Sequence, residues 1–386
     1  MGEIKVLHCI HSLSWGGLEI YTSELIQKLQ ETGTPQLVFC AAQGRVTEEL
    51  KKANVRIITF PEKKLSKFSA ARRIRRIIRE HNITVLHSHT RLDMWACALA
   101  RWNNRKIKHI YNLYMNAIPK KDFIHKWLFS KVDALCSSSE TILADVKTNF
   151  PISFKKLHLI RYGRNTERFV SNPRQREELR NLLGTQPQQI VIGTLCRIDP
   201  GKGIKELVEA LESLSTEELE RIQLWIIGDP TIKGQDENGQ SLYADESKEL
   251  LQWLKEQCSQ SRYKNNLIYL PFQKDYIPYI DALDIFALAS YNETYSLSVL
   301  DAMMMGKPVI GTSAGGTLEQ VGKDERGLLV TPQSANSLAG AFRYYFHHPD
   351  VIQRQGQLAQ KWSLENHRWP ETLKKFLELY KQLTQS

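Results

Sequence analysis

Seven residues separate two carboxylates, Glu293 and Asp301, in the run Glu293-Thr294-Tyr295-Ser296-Leu297-Ser298-Val299-Leu300-Asp301. The run follows an apolar stretch, Ile285–Ala289. Carboxylates accept hydrogen bonds from sugar and ribose hydroxyls. A helix starting near Ser296 leaves Glu293 in the preceding loop and Asp301 in the second turn. Its first amides, around Ser296, Leu297 and Ser298, favour a phosphate. Upstream, Cys196-Arg197-Ile198-Asp199-Pro200-Gly201-Lys202-Gly203 lies between an apolar strand and a helix. Arg197 and Lys202 there can bind a diphosphate and offset charge on a departing one. Capping acids and solvated cations are the commoner fate of such residues taken singly.

Four further clusters sit at similar junctions. Gly16-Gly17 occupies the first strand–helix turn, where a ligand can approach the backbone and the helix N-terminus favours an anion. It is not GxGxxG, so a nicotinamide site loses its main support. Gly306-Lys307-Pro308 and Gly315-Gly316-Thr317-Leu318-Glu319 bracket one strand. His87-Ser88-His89 ends another, and two histidines at a ligand edge favour a substrate contact by one of them. No third ligand is spaced with them, and none of the six cysteines forms a CxxC pair. No metal site is expected, and the cysteines read as reduced, buried thiols.

These residues need elements to hold them. The first half alternates β-rich runs with amphipathic segments. Strands are predicted at Ile4–Ile10, Gln36–Ala41, Val55–Phe60, Thr84–His87, Ile107–Leu113, Ala134–Ser137 and Leu157–Arg161. The second half repeats the theme at Ile190–Leu195, Leu224–Gly228, Leu267–Leu270, Ile285–Ala289, Val309–Thr312 and Leu328–Val330. Helical spacing runs between them, for example Leu18–Leu29, Leu65–Ile78, Trp95–Arg101, Gly203–Leu214 and Leu297–Met305. Such alternation implies βαβ units and parallel sheets, hence two doubly wound α/β domains in tandem. The polar stretch 165–189 reads as the connection between them. Residues 231–244 read as a surface insertion. Ligands of open α/β sheets bind beyond the carboxyl ends of the strands, so the active site is expected where two such edges face a cleft.

Composition bounds the rest. The 386 residues are 42% hydrophobic and 24% charged, ordinary for a globular chain of two or three domains. No apolar run approaches the roughly 18–20 residues of a membrane-spanning helix. No basic, cleavable leader precedes the first strand, so a cytoplasmic protein is expected. The net charge of +10 is unevenly placed. Residues 1–165 hold 28 Lys and Arg against 13 Asp and Glu, and the remainder holds 24 against 29. The first half therefore points to an anionic partner.

Taken together, these pieces resemble the retaining glycosyltransferases of family 4. They run through nearly the whole chain: Gly16-Gly17, His87-Ser88-His89, Ser139-Glu140, Arg197 with Lys202-Gly203, Glu293-x7-Asp301, Gly306-Lys307-Pro308, Gly315-Gly316 with Glu319, and Gly327-Leu328-Leu329-Val330 with Pro332. The resemblance implies the GT-B architecture, two Rossmann-like domains facing across a cleft. Residues 1–168 would bind acceptor, 169–368 would bind the nucleotide-sugar donor, and the last helix, 369–386, would cross back to the first domain. It implies that Arg197 and Lys202 bind the donor diphosphate and that Glu293 contacts the donor sugar. Asp301 would take the ribose hydroxyls, and the amides of Ser296, Leu297 and Ser298 the phosphates. His89 would lie near the transferred sugar, and Gly16-Gly17 near phosphate and acceptor. UDP is the family's default nucleotide, and neither cofactor nor metal is implied. Three departures stand out: Asp301 replaces the usual glutamate, the end of the first domain reads Tyr162-Gly163-Arg164-Asn165, and Tyr111–Asn116 lacks a histidine often found there.

The basic segment holds Lys63, Lys64, Lys67, Arg72, Arg73, Arg75, Arg76 and Arg79. Leu65, Phe68, Ala71, Ile74, Ile77 and Ile78 form an apolar stripe at helical spacing, expected to face the sheet. The basic face suits anionic lipid on the inner side of the cytoplasmic membrane, and the first domain suits a lipid-linked or anionic polysaccharide acceptor. No recognition module for nucleic acid is present. The expected activity is transfer of a sugar to an acceptor hydroxyl in polysaccharide or glycolipid synthesis. The alternatives are a nucleotide-sugar 2-epimerase and a non-catalytic nucleotide-sugar-binding subunit.

Overall fold

Buried apolar runs become strands in both halves of the chain. The computed structural model describes residues 3–60, 65–235, 241–323 and 325–385. Its contacts divide into two units: Met1–Arg164 with His367–Ser386, and Asn165–Asn366.

Unit 1 has seven strands: β1 (Val6–Ile10), β2 (Gln36–Ala41), β3 (Ile57–Phe60), β4 (Val85–Ser88), β5 (Lys108–Asn112), β6 (Ala134–Ser137) and β7 (Leu157–Leu159). All neighbours are parallel, in the order β3-β2-β1-β4-β5-β6-β7. All five residues of β1 are buried, as strands covered on both faces must be. The chain's last helix, Trp369–Gln385, belongs to this unit. Its Trp369 packs on Gly163, where a Cβ would overlap the indole, and stacks at 5.6 Å on Tyr21.

Unit 2 has β8 (Ile190–Leu195), β9 (Ile222–Ile227), a hairpin of β10 (Ile232–Gln235) and β11 (Ser241–Tyr243), β12 (Leu267–Leu270), β13 (Ile285–Leu288), β14 (Val309–Thr312) and β15 (Gly327–Val330). Its parallel six-stranded sheet runs β12-β9-β8-β13-β14-β15. The order reverses between β1 and β4 in unit 1 and between β8 and β13 in unit 2. Such switch points open a crevice at the carboxyl ends of the strands.

Three expectations change. The stretch 165–189 is not a free connection. It contains a helix, Pro173–Leu182, capped by the Asn172 side chain. Arg176 and Arg180 of that helix pair with Asp284, and the Ser171 hydroxyl and Asn172 amide donate to Asp281. The helix is largely exposed, and Arg176 and Arg180 tie it to the rest of unit 2. Residues 231–244 hold the β10–β11 hairpin, an antiparallel pair that polar residues disguised. The basic helix runs Lys67–His81, capped by Ser66, and buries Ala70, Ala71, Ile74 and Ile77. Phe68, placed on its inward stripe, is instead 66% exposed. Lys63 and Lys64 lie outside the described residues.

Candidate active site

In unit 2 the residues after β8 and β13 meet. Asp199 fixes the first loop: its carboxylate accepts from the Gly201 amide at 3.1 Å and the Thr231 hydroxyl at 2.8 Å. Gly203 follows with φ +68, and a Cβ there would overlap the Ala289 carbonyl oxygen. Only glycine lets these two loops touch. The Tyr291 amide donates to the Gly201 carbonyl at 3.0 Å. The result sets the Lys202 ammonium 2.7 Å from a Glu293 carboxylate oxygen, with side chains 20% and 18% exposed. Glu293 is held from the other side. Its carbonyl accepts from the Gly316 amide at 2.9 Å, while Gly315 turns at φ +54 against the same oxygen. Arg197 is exposed just past the end of β8.

The helix Leu297–Met304 begins as expected, with the Ser296 hydroxyl accepting from the Val299 amide. The Ser296 amide itself is engaged, donating to Gln320 Oε1 at 3.0 Å, and Gln320 Nε2 returns a bond to the Ser296 carbonyl. That amide is therefore not an open phosphate donor. Leu297 and Ser298 lie in the first turn, whose N–H groups have no intrahelical partner. Asp301 lies in the second turn, 2% exposed, and accepts from the Tyr276 hydroxyl at 2.7 Å.

In unit 1 the turn after β1 is held by two acids that sequence reasoning missed. Asp93 accepts from the His11 amide and from His11 Nδ1, and also from the Thr90 amide and hydroxyl. Glu19 accepts from the Ser12 hydroxyl at 2.5 Å and the Gly16 amide at 2.9 Å. Gly16 is extended, and Gly17 opens the helix Gly17–Glu31. A protein carboxylate thus already sits at this helix start. The capping-box spacing, three residues from Gly16 to Glu19 and from Thr90 to Asp93, was the available signal.

His89 is buried in the unit 1 interior, bonded to His8 Nδ1 and the Tyr114 hydroxyl, each at 3.1 Å. The expectation that no third histidine joins His87 and His89 is overturned, because register places His8 directly beside His87. The three rings offer nitrogens within 4.8 Å of one another, a grouping that could hold a metal ion. His87 and His89 stack with centroids 4.4 Å apart at 29°. Burial lowers all three, His87 to about 4, so the rings are neutral near pH 7. They form a polar core, with the Tyr380 hydroxyl of the last helix 2.8 Å from His87 Nδ1.

Two matches divide the chain much as its contacts do. Residues 15–168 match the family described as "Glycosyltransferase Family 4", and residues 175–362 the family described as "Glycosyl transferases group 1". The chain belongs to the family 4 glycosyltransferases. D-inositol 3-phosphate glycosyltransferase of Corynebacterium urealyticum is 25% identical, over 95% of this chain and 91% of its own length. The putative teichuronic acid biosynthesis glycosyltransferase TuaC of Bacillus subtilis is 26% identical, over 68% of this chain and 61% of its own. Among solved structures, a glycosyltransferase from Rickettsia africae superposes with a TM-score of 0.83 at 22% identity, covering 99% of both chains. Anabaena HepE, solved with UDP and glucose, superposes at 0.81 with 18% identity, covering 98% of this chain and 99% of its own. The family 4 glycosyltransferase described here therefore has the GT-B fold. No helix among its described residues is long and apolar enough to cross a membrane.

Proposed function

We propose that this glycosyltransferase moves a sugar, with retention of configuration, from a UDP-sugar to an acceptor hydroxyl in polysaccharide or glycolipid synthesis. The observation that carries the reading is the Lys202–Glu293 pair, assembled at the unit 2 switch point from loops 91 residues apart. A cation beside a carboxylate suits a substrate that is anionic at one end and hydroxylated at the other. Unit 2 is the donor side and unit 1 the acceptor side. HepE binding UDP supports the choice of nucleotide.

Arg197 and Lys202 hold the diphosphate and stabilise its growing charge as the glycosidic bond breaks. That charge supply makes the reaction metal-independent. Glu293 orients the donor sugar. The amides of Leu297 and Ser298 meet the phosphates, and Asp301 meets the ribose together with Tyr276. The acceptor hydroxyl attacks on the face the nucleotide leaves, and the leaving phosphate takes its proton. Positioning therefore carries most of the rate. Gly16 and Gly17 shape the acceptor turn. His89, a buried neutral ring, positions β4 beneath the acceptor rather than touching it.

Thermal shift with UDP, GDP, ADP and TDP tests the donor assignment. A ligand at 100 times its Kd adds about 2.7 kcal/mol. UDP should stabilise the wild type, and Arg197→Ala or Lys202→Ala should abolish the effect. No stabilisation by any of the four would sink the assignment. Turnover of donor without acceptor to an epimeric sugar would favour the epimerase. Binding without transfer or hydrolysis would favour the binding subunit.

A further inference from the structure

Three histidines in the interior of unit 1 supply nothing that the transfer chemistry consumes. His8 lies on β1, His87 on β4 and His89 one residue past the end of β4. Register sets His8 beside His87, and alternation along the strand puts His89 on the same face. None of the three is more than 1% exposed. The cluster's hydrogen bonds do not account for it. His87 Nδ1 meets the Tyr380 hydroxyl, and His89 Nδ1 meets the Tyr114 hydroxyl. His8 Nδ1 and His89 Nε2 face each other at 3.1 Å. His8 Nε2 and His87 Nε2 are buried with no hydrogen-bond partner among the described residues. The same is true of Oδ1 of Asn112, whose side chain faces His87. Cores rarely leave such atoms unmet, and a bound ion is one cause of such a gap.

The donors suit a transition metal. Imidazole is the commonest protein ligand for one, and zinc takes it at about 2.0–2.1 Å. Two nitrogens on one tetrahedral ion are then about 3.3 Å apart. The His8–His89 pair already has nearly this spacing, and nitrogens of all three rings lie within 4.8 Å of one another. The two tyrosine hydroxyls hold the His87 and His89 rings, as outer partners orient metal-bound imidazoles. A cavity of about 10 Å³, lined in part by Asn112 and Tyr114, has room for one water as a further ligand.

We propose that His8, His87 and His89 bind one zinc ion that ties β1 to β4 inside unit 1. The ion is structural and takes no part in the transfer step. Its ligands are covered in the folded chain, so it enters while unit 1 is still folding. The inference stands on unit 1 alone and does not need the transferase reading.

The full chain, produced without an affinity tag in medium supplied with zinc or with cobalt, tests it. Metal analysis after gel filtration should find one ion per chain. X-ray absorption of the zinc form should show three imidazole nitrogens at about 2.0–2.1 Å. The cobalt form should show the visible bands of a tetrahedral site. His8→Gln should hold the ion at least about tenfold more weakly, the least that loss of even an outer-shell partner costs. His347→Gln, at an exposed helix end of unit 2, should hold it as the wild type does. A metal-free wild type overturns the proposal, as does undiminished binding by His8→Gln. A zinc spectrum with fewer than three imidazoles would mark an ion held at the surface and overturns it too, without recourse to any variant.

Discussion

The Lys202 ammonium donates to Glu293 at 2.7 Å, so the two groups assigned to opposite ends of the donor hold each other before it arrives. Glu293→Gln releases Lys202. UDP should then bind up to about fivefold more tightly, the worth of a partly exposed ion pair. Transfer should still fall by about 10²–10³, the usual loss for one such polar group. Calorimetry with UDP and a transfer assay separate the two effects. A loss of UDP affinity in this variant would mean that Glu293 supports nucleotide binding instead.

Gly315 tests the loop that carries Glu293. An alanine there meets both an unfavourable φ of +54 and the Glu293 carbonyl oxygen. Gly315→Ala should cost more than about 1 kcal/mol of stability and lower kcat more than KM. Denaturant unfolding and steady-state kinetics check it. Wild-type kinetics would show that the Glu293 position is not set by this contact.

Acid should weaken unit 1. His8, His87, His89, His109 and His367 are buried there, and burial pushes each down, His87 to about 4 and His109 and His367 to about 3. Unfolded histidine titrates near 6.5. Below that pH the unfolded chain takes up protons that the folded rings refuse. Stability is therefore whole above about pH 6.5 and declines as the pH falls toward about 4, each ring adding a slope of up to about 1.4 kcal/mol per pH unit. Urea midpoints across this window report the slope. A flat profile would show that these rings are charged in the folded state.

The last helix should be as important to unit 1 as any strand. Trp369 packs on Gly163 and stacks on Tyr21. Trp369→Ala should cost about 3–5 kcal/mol. The loss should appear as earlier unfolding of unit 1, with unit 2 unchanged, in hydrogen exchange followed by mass spectrometry. Equal loss of protection in both units would contradict it.

Much of this was legible in the chain. β1, β9 and β13 are mostly apolar runs that read as covered strands, each interrupted at most once, by His8 in β1 and Gln223 in β9. Ser296 capped its helix where the spacing put it. What failed has identifiable causes. The helix Pro173–Leu182 read as a connection because it is mostly exposed, and the pairing of Arg176 and Arg180 with Asp284 joins residues more than a hundred positions apart. His8 gave no signal within Val6–Ile10, since its meaning lies in register with β4. Strand-end positions and the family resemblance suggested that Glu293 and Lys202 belong to one site. They did not show that the two bond each other, because that contact depends on two glycines, Gly203 and Gly315, permitting three loops to touch. Phe68 sat on the inward stripe by count, but it lies in the first turn, ahead of the turns whose apolar side chains are buried.

The division of the chain also sets an order of birth. Unit 2 is one continuous segment, whereas unit 1 needs His367–Ser386 to finish. A ribosome emits the chain from its N-terminus at about 5–20 residues per second. The whole of unit 2 is therefore synthesised before the final helix is. Unit 1, though begun first, waits with its Tyr21 and His87 surfaces uncovered until the final helix emerges. The nascent protein spends that interval with unit 1 unfinished, and loss of His367–Ser386 would leave it so.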